Sequence, residues 1–450
     1  VLERAALRAL TRIAGSELSS RLRLRGLMET AIYHGARLGT EAIRGGVPAK
    51  SRTSGASSAS SGATAPNAPS EPHRLGPAQS ADVFDMRPTE EQALIRDTMR
   101  RFAQEILRPA ARAADDAASA PPEVLAQAHA LGLVGLAVPE ALGGVATARS
   151  AMTGALIVED LSWGDMGLAA AILAPLAFIQ AIVMWGSADQ QARYLPTFLG
   201  DRFTPAALAL LEPQPLFDPM RPRASAVRSH DGGWELWGEK ALVPLASTAE
   251  WFAVAANVLG KGARLFIVER GLRGLTIEPE TAMGLRAAAL GRVRLKGVRV
   301  AEDALLGSDA PEEGFDLGDI VDRARVAWGA MAVGSAQAVL DYVVPYTNAR
   351  VAFGEPISNR QAVAFMIADI AIELEGMRLL VHRAAGRLDR GERVVRQAAL
   401  ARLQCSSKAM KIGSDGVQLL GGHGFIKEHP VERWYRDLRA VGVLEGALLV

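Results

Sequence analysis

Cysteine is almost missing from this 450-residue chain, with Cys405 its one copy. That excludes an intramolecular disulfide and suits a reducing compartment, so the expected location is cytoplasmic and Cys405 an inert helix residue. Charge of either sign is not in excess: 50 basic residues face 49 acidic ones. No basic stripe interleaved with aromatics runs through it, which argues against nucleic acid as a partner. The seven histidines are scattered. With no His-Glu-x-x-His and no paired cysteines, no metal site is expected. Also missing are a glycine-rich loop ending in Lys-Ser/Thr and a Gly-x-Gly-x-x-Gly after a strand. A nucleotide cofactor would therefore be held outside the Rossmann manner.

Long apolar runs are few. Met166 to Trp185 meets the length of a membrane-spanning helix. Pro175 in its middle and Gln180 near its end favour two buried helices broken at the proline, and membrane insertion is the less favoured reading. Residues 1–45 alternate arginines (Arg4, Arg8, Arg12) with apolar Leu2, Ala6, Leu10 and Ile13 at helical spacing. They read as a helical appendage, either packed on the main body or hooking a partner or membrane surface. Residues 46–83 are rich in Ser, Ala, Pro and Gly and read as a disordered linker.

Helical patterning resumes in residues 84–204. Thr89 with Gln92 makes a capping box, followed by Leu94, Ile95, Met99, Phe102 and Ile106 at helical spacing. Residues 205–310 read as a β domain: Trp234–Trp237 and Leu265–Val268 form short runs separated by Gly232-Gly233, Gly238 and Gly271. From 311 to 450 helical periodicity returns without strand-like alternation. The order is helices, strands, helices, an α+β multidomain chain.

The last stretch carries the most specific signal. Gln418, Gly421, Gly422, Gly424 and Phe425 are followed by Pro430-Val431-Glu432-Arg433, Arg436-Asp437 and Glu445-Gly446. A helix ending in Gly-Gly-x-Gly lets something approach the backbone closely. Glu445 then stands among Val443, Leu444, Ala447 and Leu448, and a carboxylate in apolar surroundings can serve as a general base. On the residues alone, a glycine C-cap followed by an ordinary surface glutamate is the favoured reading. The ordered set closely resembles the C-terminal signature of the acyl-CoA dehydrogenase family, and the resemblance extends from about Phe84 to the C-terminus.

The resemblance implies a helical N-terminal domain, a β-barrel-like middle domain and a C-terminal four-helix bundle. It implies FAD-dependent α,β-dehydrogenation of an acyl-CoA thioester in fatty-acid β-oxidation, with electrons passed to an electron-transfer flavoprotein. Glu445 would take the α-proton while hydride leaves the β carbon for flavin N5, and Gly446 would let the thioester approach the backbone. Arg350, Phe353 and Gln361, in a segment resembling the family's Arg-x-x-Phe-Gly-x-Pro-Ile, would reach the FAD of a neighbouring subunit. Gln418, Gly421 and Gly422 would cradle its adenosine diphosphate part, which implies a homodimer or homotetramer. Asp322 and Arg325 match an Asp-x-x-Arg that helps hold the CoA side; at i and i+3 they equally suit a helix-surface ion pair.

The flavin-facing motifs depart from the family. Its Thr-Glu-Pro-x-x-Gly-Ser-Asp aligns onto Leu211 to Asp218, keeping Glu212, Pro213 and Asp218 while Leu211 and Phe217 replace hydroxyls at cofactor- and substrate-facing positions. Its Lys-x-Trp-Ile-Thr-Asn aligns onto Lys240 to Leu245, where Leu242 replaces the ring-contacting Trp and Pro244 the hydroxyl donor. Each lost bond costs about 1 kcal/mol of cofactor binding. Family members usually continue into a further helical tail, so ending at Val450 reads as a truncated copy or a less enclosed site. Two alternatives stay open: a non-catalytic binding or assembly subunit, and an oxygen-using flavoenzyme on the same fold.

Overall fold

The computed structural model describes residues 87–307 and 315–450. The appendage read at 1–45 and the linker read at 46–83 lie outside the described residues.

Helix α1 (Glu90–Phe102) begins as its residues dictate. The Thr89 hydroxyl accepts from the Gln92 N–H, and the Gln92 side chain accepts from the Thr89 N–H, a reciprocal cap. A π-helical turn, Ala103–Leu107, leads into α2 (Arg108–Ala117), α3 (Pro122–His129), α4 (Leu133–Ala137), α5 (Ala151–Gly164), α6 (Met166–Trp185) and α7 (Ala188–Leu199). Against expectation, α6 is one continuous helix with Pro175 inside it. Proline removes a single N–H bond, and every residue from Met166 to Ile179 is buried, so packing holds the turn together. The chain breaks at Asp165 instead, whose carboxylate caps α6 through the Leu168 N–H at 2.9 Å. By length and composition α6 would cross a membrane; here 89% of that window is buried inside the protein, as a core helix.

The middle sheet comprises β1 (Ala206–Ala209), β2 (Ser225–Arg228), β3 (Trp234–Val243), β4 (Trp251–Val258), β5 (Gly262–Glu269), β6 (Leu275–Pro279) and β7 (Gly291–Val300). The strand order is β1-β4-β2-β3-β7-β6, with β5 also paired to β4. Trp234, Phe252, Phe266, Val268 and Val293 fill its core. Gly238, read as a separator, lies inside β3 just after a register shift at Leu236/Trp237. Such a bulge adds twist without ending the strand.

The C-terminal bundle is built of α8 (Leu317–Ala349), α9 (Gln361–Asp389), α10 (Val395–Leu420) and α12 (Val431–Leu438), with the short α11 (Gly422–Phe425) before α12. A small ladder, β8 (Val351–Ala352) with β9 (Glu355–Pro356), interrupts the helices, which the periodicity did not signal. Helix α8 also packs along α5. At Gly334 a Cβ would stand 1.9 Å from the Glu159 carbonyl oxygen, so glycine is what allows the two helices to meet. The architecture is α+β: a helical opening, a β domain, and a four-helix C-terminal bundle.

Candidate active site

Glu445 follows a 3-10 turn, Arg439–Gly442, that ends the run from α12. Its side chain is 13% exposed, so it is not a surface glutamate. Leu444, Ala447 and Leu448 around it are buried, while Val443 is exposed. The expectation of apolar surroundings needs correction, because two guanidinium groups face the carboxylate. Arg325 of α8 donates to both oxygens, at 3.3 and 3.4 Å. Arg402 of α10 approaches to 3.6 Å. Arg402 also donates to the Val441 carbonyl, tying down the turn that presents Glu445. Burial pulls the Arg402 guanidinium down from its ordinary value and Glu445 pushes it back up. Sequence reasoning missed Arg402; the available signal was a basic residue beside the buried face formed by Ala398, Ala401 and Cys405. Cys405 itself is enclosed, its thiol pushed up to about 12 by burial, which leaves it inert.

Gly446 fixes the next position. Its φ is +70°, and a Cβ there would stand 2.6 Å from the Leu210 Cβ. Its carbonyl accepts from the Trp328 indole N–H at 2.8 Å. The Glu-Gly turn is therefore wedged between the end of β1 and helix α8. One residue on, the Leu211 carbonyl accepts from the Ala241 N–H at 2.9 Å, which places Leu211 beside the Lys240–Pro244 segment. The structure thus brings Glu445, Gly446 and Arg325 together beside Leu210, with Leu211 next in the chain and Leu242 beyond it on the β side.

That corner offers little polarity on its β side. Leu242 has a left-handed φ of +52° and spends its N–H on the Glu280 carboxylate at 2.7 Å. Pro244 is buried without an N–H, and the Leu245 N–H is taken by the Ala288 carbonyl. Behind this wall Glu212 and Lys240 form a buried pair at 2.7 Å, with the ammonium drawn down to about 8 by burial. The Glu212 carboxylate also accepts from the Arg223 and Ala224 N–H groups, closing the base of the loop that carries half-buried Phe217.

Asp322 and Arg325 do not pair. Arg325 turns to Glu445, while Asp322, 6% exposed, makes no hydrogen bond or ion pair to any described residue. Burial pushes its carboxyl up to about 6, and Arg325 only partly offsets that. A desolvated acid without a bonded partner is a mark of a functional site.

The remaining candidates lie at the other end of the bundle. Phe353 and Gly354 form the two-residue loop of the β8–β9 hairpin, both with positive φ, and the Phe353 ring is 96% exposed. Arg350, Gln361, Gln418, Gly421 and Gly422 are exposed too. The hairpin and the glycine turn share this end: the Arg350 N–H bonds the Tyr346 carbonyl, and the Tyr346 hydroxyl meets His423 Nδ1 at 2.8 Å. Gly421 and Gly422 have nothing within 4 Å of where a Cβ would stand. Open backbone, an unburied arginine and an outward aromatic ring suit the adenosine diphosphate half of FAD held against a neighbouring subunit. The ring half would meet apolar contact alone from Leu211, Leu242 and Pro244.

The Pro-Val-Glu-Arg segment does different work. Arg433 pairs with buried Asp165 at 2.9 Å, and Arg436 grips Asp115 through two nitrogens at 2.9 and 2.7 Å. Asp437 accepts from the Leu285 N–H at 2.6 Å, its carboxyl raised to about 7 by burial and by Asp165. These bonds join α12 to the helical opening and to the β domain.

Comparison with known proteins gives the family and agrees with the fold. The chain matches the acyl-CoA dehydrogenase N-terminal domain over residues 89–201, the middle domain over 207–298 and the C-terminal domain over 318–448. It is 33% identical over 365 residues to cyclohex-1-ene-1-carbonyl-CoA dehydrogenase of Geobacter metallireducens, covering 80% of this chain and 95% of that one. Butyryl-CoA dehydrogenase of Megasphaera elsdenii superimposes with a TM-score of 0.74 at 27% identity, over 81% of this chain and 96% of that one. A glutaryl-CoA dehydrogenase from Mycobacterium smegmatis, solved in complex with FADH2, gives 0.71 at 26% identity, over 80% and 92%. Three domains matched in order, with a relative one-third identical along most of both chains, make this chain a member of the acyl-CoA dehydrogenase family of flavin-dependent oxidoreductases.

Proposed function

We propose that the protein removes the α-proton of an acyl-CoA thioester with Glu445 and desaturates its α,β bond. The observation that carries this is the placement of Glu445, withdrawn from solvent and fixed by Gly446 against both Leu210 and Trp328. Bound FAD would supply the acceptor for the β-hydride. The chain's own residues do the rest. Leu211, Leu242 and Pro244 exclude water from the reacting face. Arg325 and Arg402 hold the resting carboxylate in place, and Glu445 can turn to the α-proton only when that clamp loosens. The Arg325 bonds are long, at 3.3 and 3.4 Å, so an arriving CoA can compete for that guanidinium and release Glu445. Asp322, close by on α8, would accept from the CoA arm. Electrons would pass to an electron-transfer flavoprotein, and the protein would work as a cytoplasmic homo-oligomer.

Glu445→Gln keeps the side-chain shape and removes the base. It should cut acyl-CoA oxidation with an artificial acceptor by roughly 10²–10⁴-fold while thioester binding persists. Activity retained within a few-fold would remove Glu445 from the reaction. A second reading, a non-catalytic binding subunit, is favoured by the engaged Leu242 N–H and by Pro244, which leave no donor at those positions. It requires thioester binding with no turnover in the unaltered protein.

A further inference from the structure

Lys240 is fully enclosed in β3, at 0% exposure. A buried ion pair is commonly replaced by apolar side chains of like volume without loss of stability, so burial alone gives no reason for a lysine there. What an ammonium adds is direction, and its bonds reach the turn that follows β1. Its Nζ donates to the Glu212 carboxylate at 2.7 Å and to the Leu210 carbonyl at 3.2 Å. Glu212 carries the hold on to the Arg223 and Ala224 N–H groups, at 2.8 and 2.9 Å. One residue further, the Ala241 N–H bonds the Leu211 carbonyl at 2.9 Å. Two successive residues of β3 thus fix two successive carbonyls just past the end of β1. Lys240 is also the last residue of β3 before its pairing with β7 shifts register and Leu242 takes its left-handed φ of +52°.

The two carbonyls belong to the two sides of the candidate site. Leu210 is the residue that Gly446 is wedged against: a Cβ on Gly446 would stand 2.6 Å from the Leu210 Cβ and 3.0 Å from its Cδ2. Leu211, with Leu242, forms the wall on the β side. We propose that Lys240 is a positioning residue for α-proton removal, holding the Leu210 carbonyl so that the Glu445-Gly446 turn keeps a fixed separation from that wall. The proposal rests on the reading of Glu445 as the base. Being enclosed, Lys240 touches no ligand and acts through Leu210 and Gly446. Taking a proton from one side of an acyl chain while a hydride leaves on the other requires base and acceptor in register, and a misplacement of about 1 Å can cost about 10²-fold in rate. Without the ammonium, Leu210 is free to withdraw from Gly446, and Glu445 loses its backing.

The test compares the full chain with Lys240→Met, with Lys240→Met plus Glu212→Gln, and with Leu210→Ala. The double variant leaves no unpaired buried charge. A lysine that only balances Glu212 is dispensable in it, and kcat returns. A lysine that positions the turn is not: kcat stays roughly 10–100-fold low while KM for the thioester moves less than about threefold. Hydrogen–deuterium exchange read by mass spectrometry needs neither flavin nor turnover. Residues 442–448 should exchange about tenfold faster in the double variant, with α9 unchanged. Leu210→Ala keeps the ion pair and shortens the side chain that meets Gly446, and it should reproduce both effects. A restored kcat in the double variant, or unaltered exchange over residues 442–448, overturns the proposal. If the double variant does not fold, by near-ultraviolet circular dichroism, Leu210→Ala decides, and unaltered kcat and exchange in it overturn the proposal. If the unaltered protein turns over no thioester, the reading of Glu445 fails, and exchange alone still decides whether Lys240 holds that turn.

Discussion

Asp322 is a single side chain whose burial weakens the fold. Its folded carboxyl titrates near 6 and its unfolded one near 3.8, so the folded state binds the extra proton between those values. The cost of ionising it is absent below about pH 4, grows through about pH 6, and is fully present at pH 8. Asp322→Asn should therefore raise the unfolding free energy at pH 8 by about 1–2 kcal/mol and change it little at pH 4, while raising KM for the thioester. Denaturant titration at the two pH values checks the first part and steady-state kinetics the second. The candidate carboxylates at 322 and 445 were legible as members of spaced motifs. Their electrostatic surroundings were not, because Arg402 comes from another helix 43 residues before Glu445, and Arg325 turns toward Glu445 and away from its neighbour at i−3.

At the scale of elements, α12 is a rivet. Arg436 reaches Asp115 on α2 through two charge-assisted bonds and also bonds the Met283 carbonyl beside the β domain. Asp115 is 3% exposed, so removing its main partner leaves a buried charge short of compensation. Arg436→Ala should cost about 3–5 kcal/mol of stability, against less than 1 kcal/mol for an exposed pair such as Arg193–Asp303, measured by the shift in denaturation midpoint. Periodicity and capping residues located α1 and marked the C-terminal region as helical, because amphipathic faces and a Thr-x-x-Gln cap are local properties. Helix α6 defeated the same reasoning, since its continuity through Pro175 depends on neighbours that bury it on all sides. The β8–β9 hairpin was equally invisible. It is two residues per strand, and its two-residue turn puts Phe353 at a φ of +56°, the left-handed conformation that so tight a hairpin requires.

At the scale of the molecule, most of the exposed large apolar side chains among the described residues lie on the bundle. Phe365, Ile372 and Leu379 repeat every seven residues along α9, each at least half exposed, and Leu403 stands out from α10. A stripe of this kind fits an interface with a second copy better than it fits water. In the proposed homo-oligomer, the exposed FAD-facing candidates on the same bundle would link assembly to cofactor retention. Ile372→Lys with Leu403→Lys should shift the protein to monomers by light scattering and lower its FAD content in parallel. Monomers that keep full FAD would uncouple the two. Domain order and family were readable from the sequence because three motif-bearing segments arrive in order. Which faces lie open was not, since that depends on how remote helices pack.

The most direct measurement is the visible flavin spectrum of the purified protein, reconstituted with FAD and titrated anaerobically with a panel of acyl-CoA thioesters. The account predicts that at least one saturated thioester bleaches the flavin band and that Glu445→Gln prevents it. A protein that takes up no FAD, or whose flavin stays oxidised with every thioester, would contradict it.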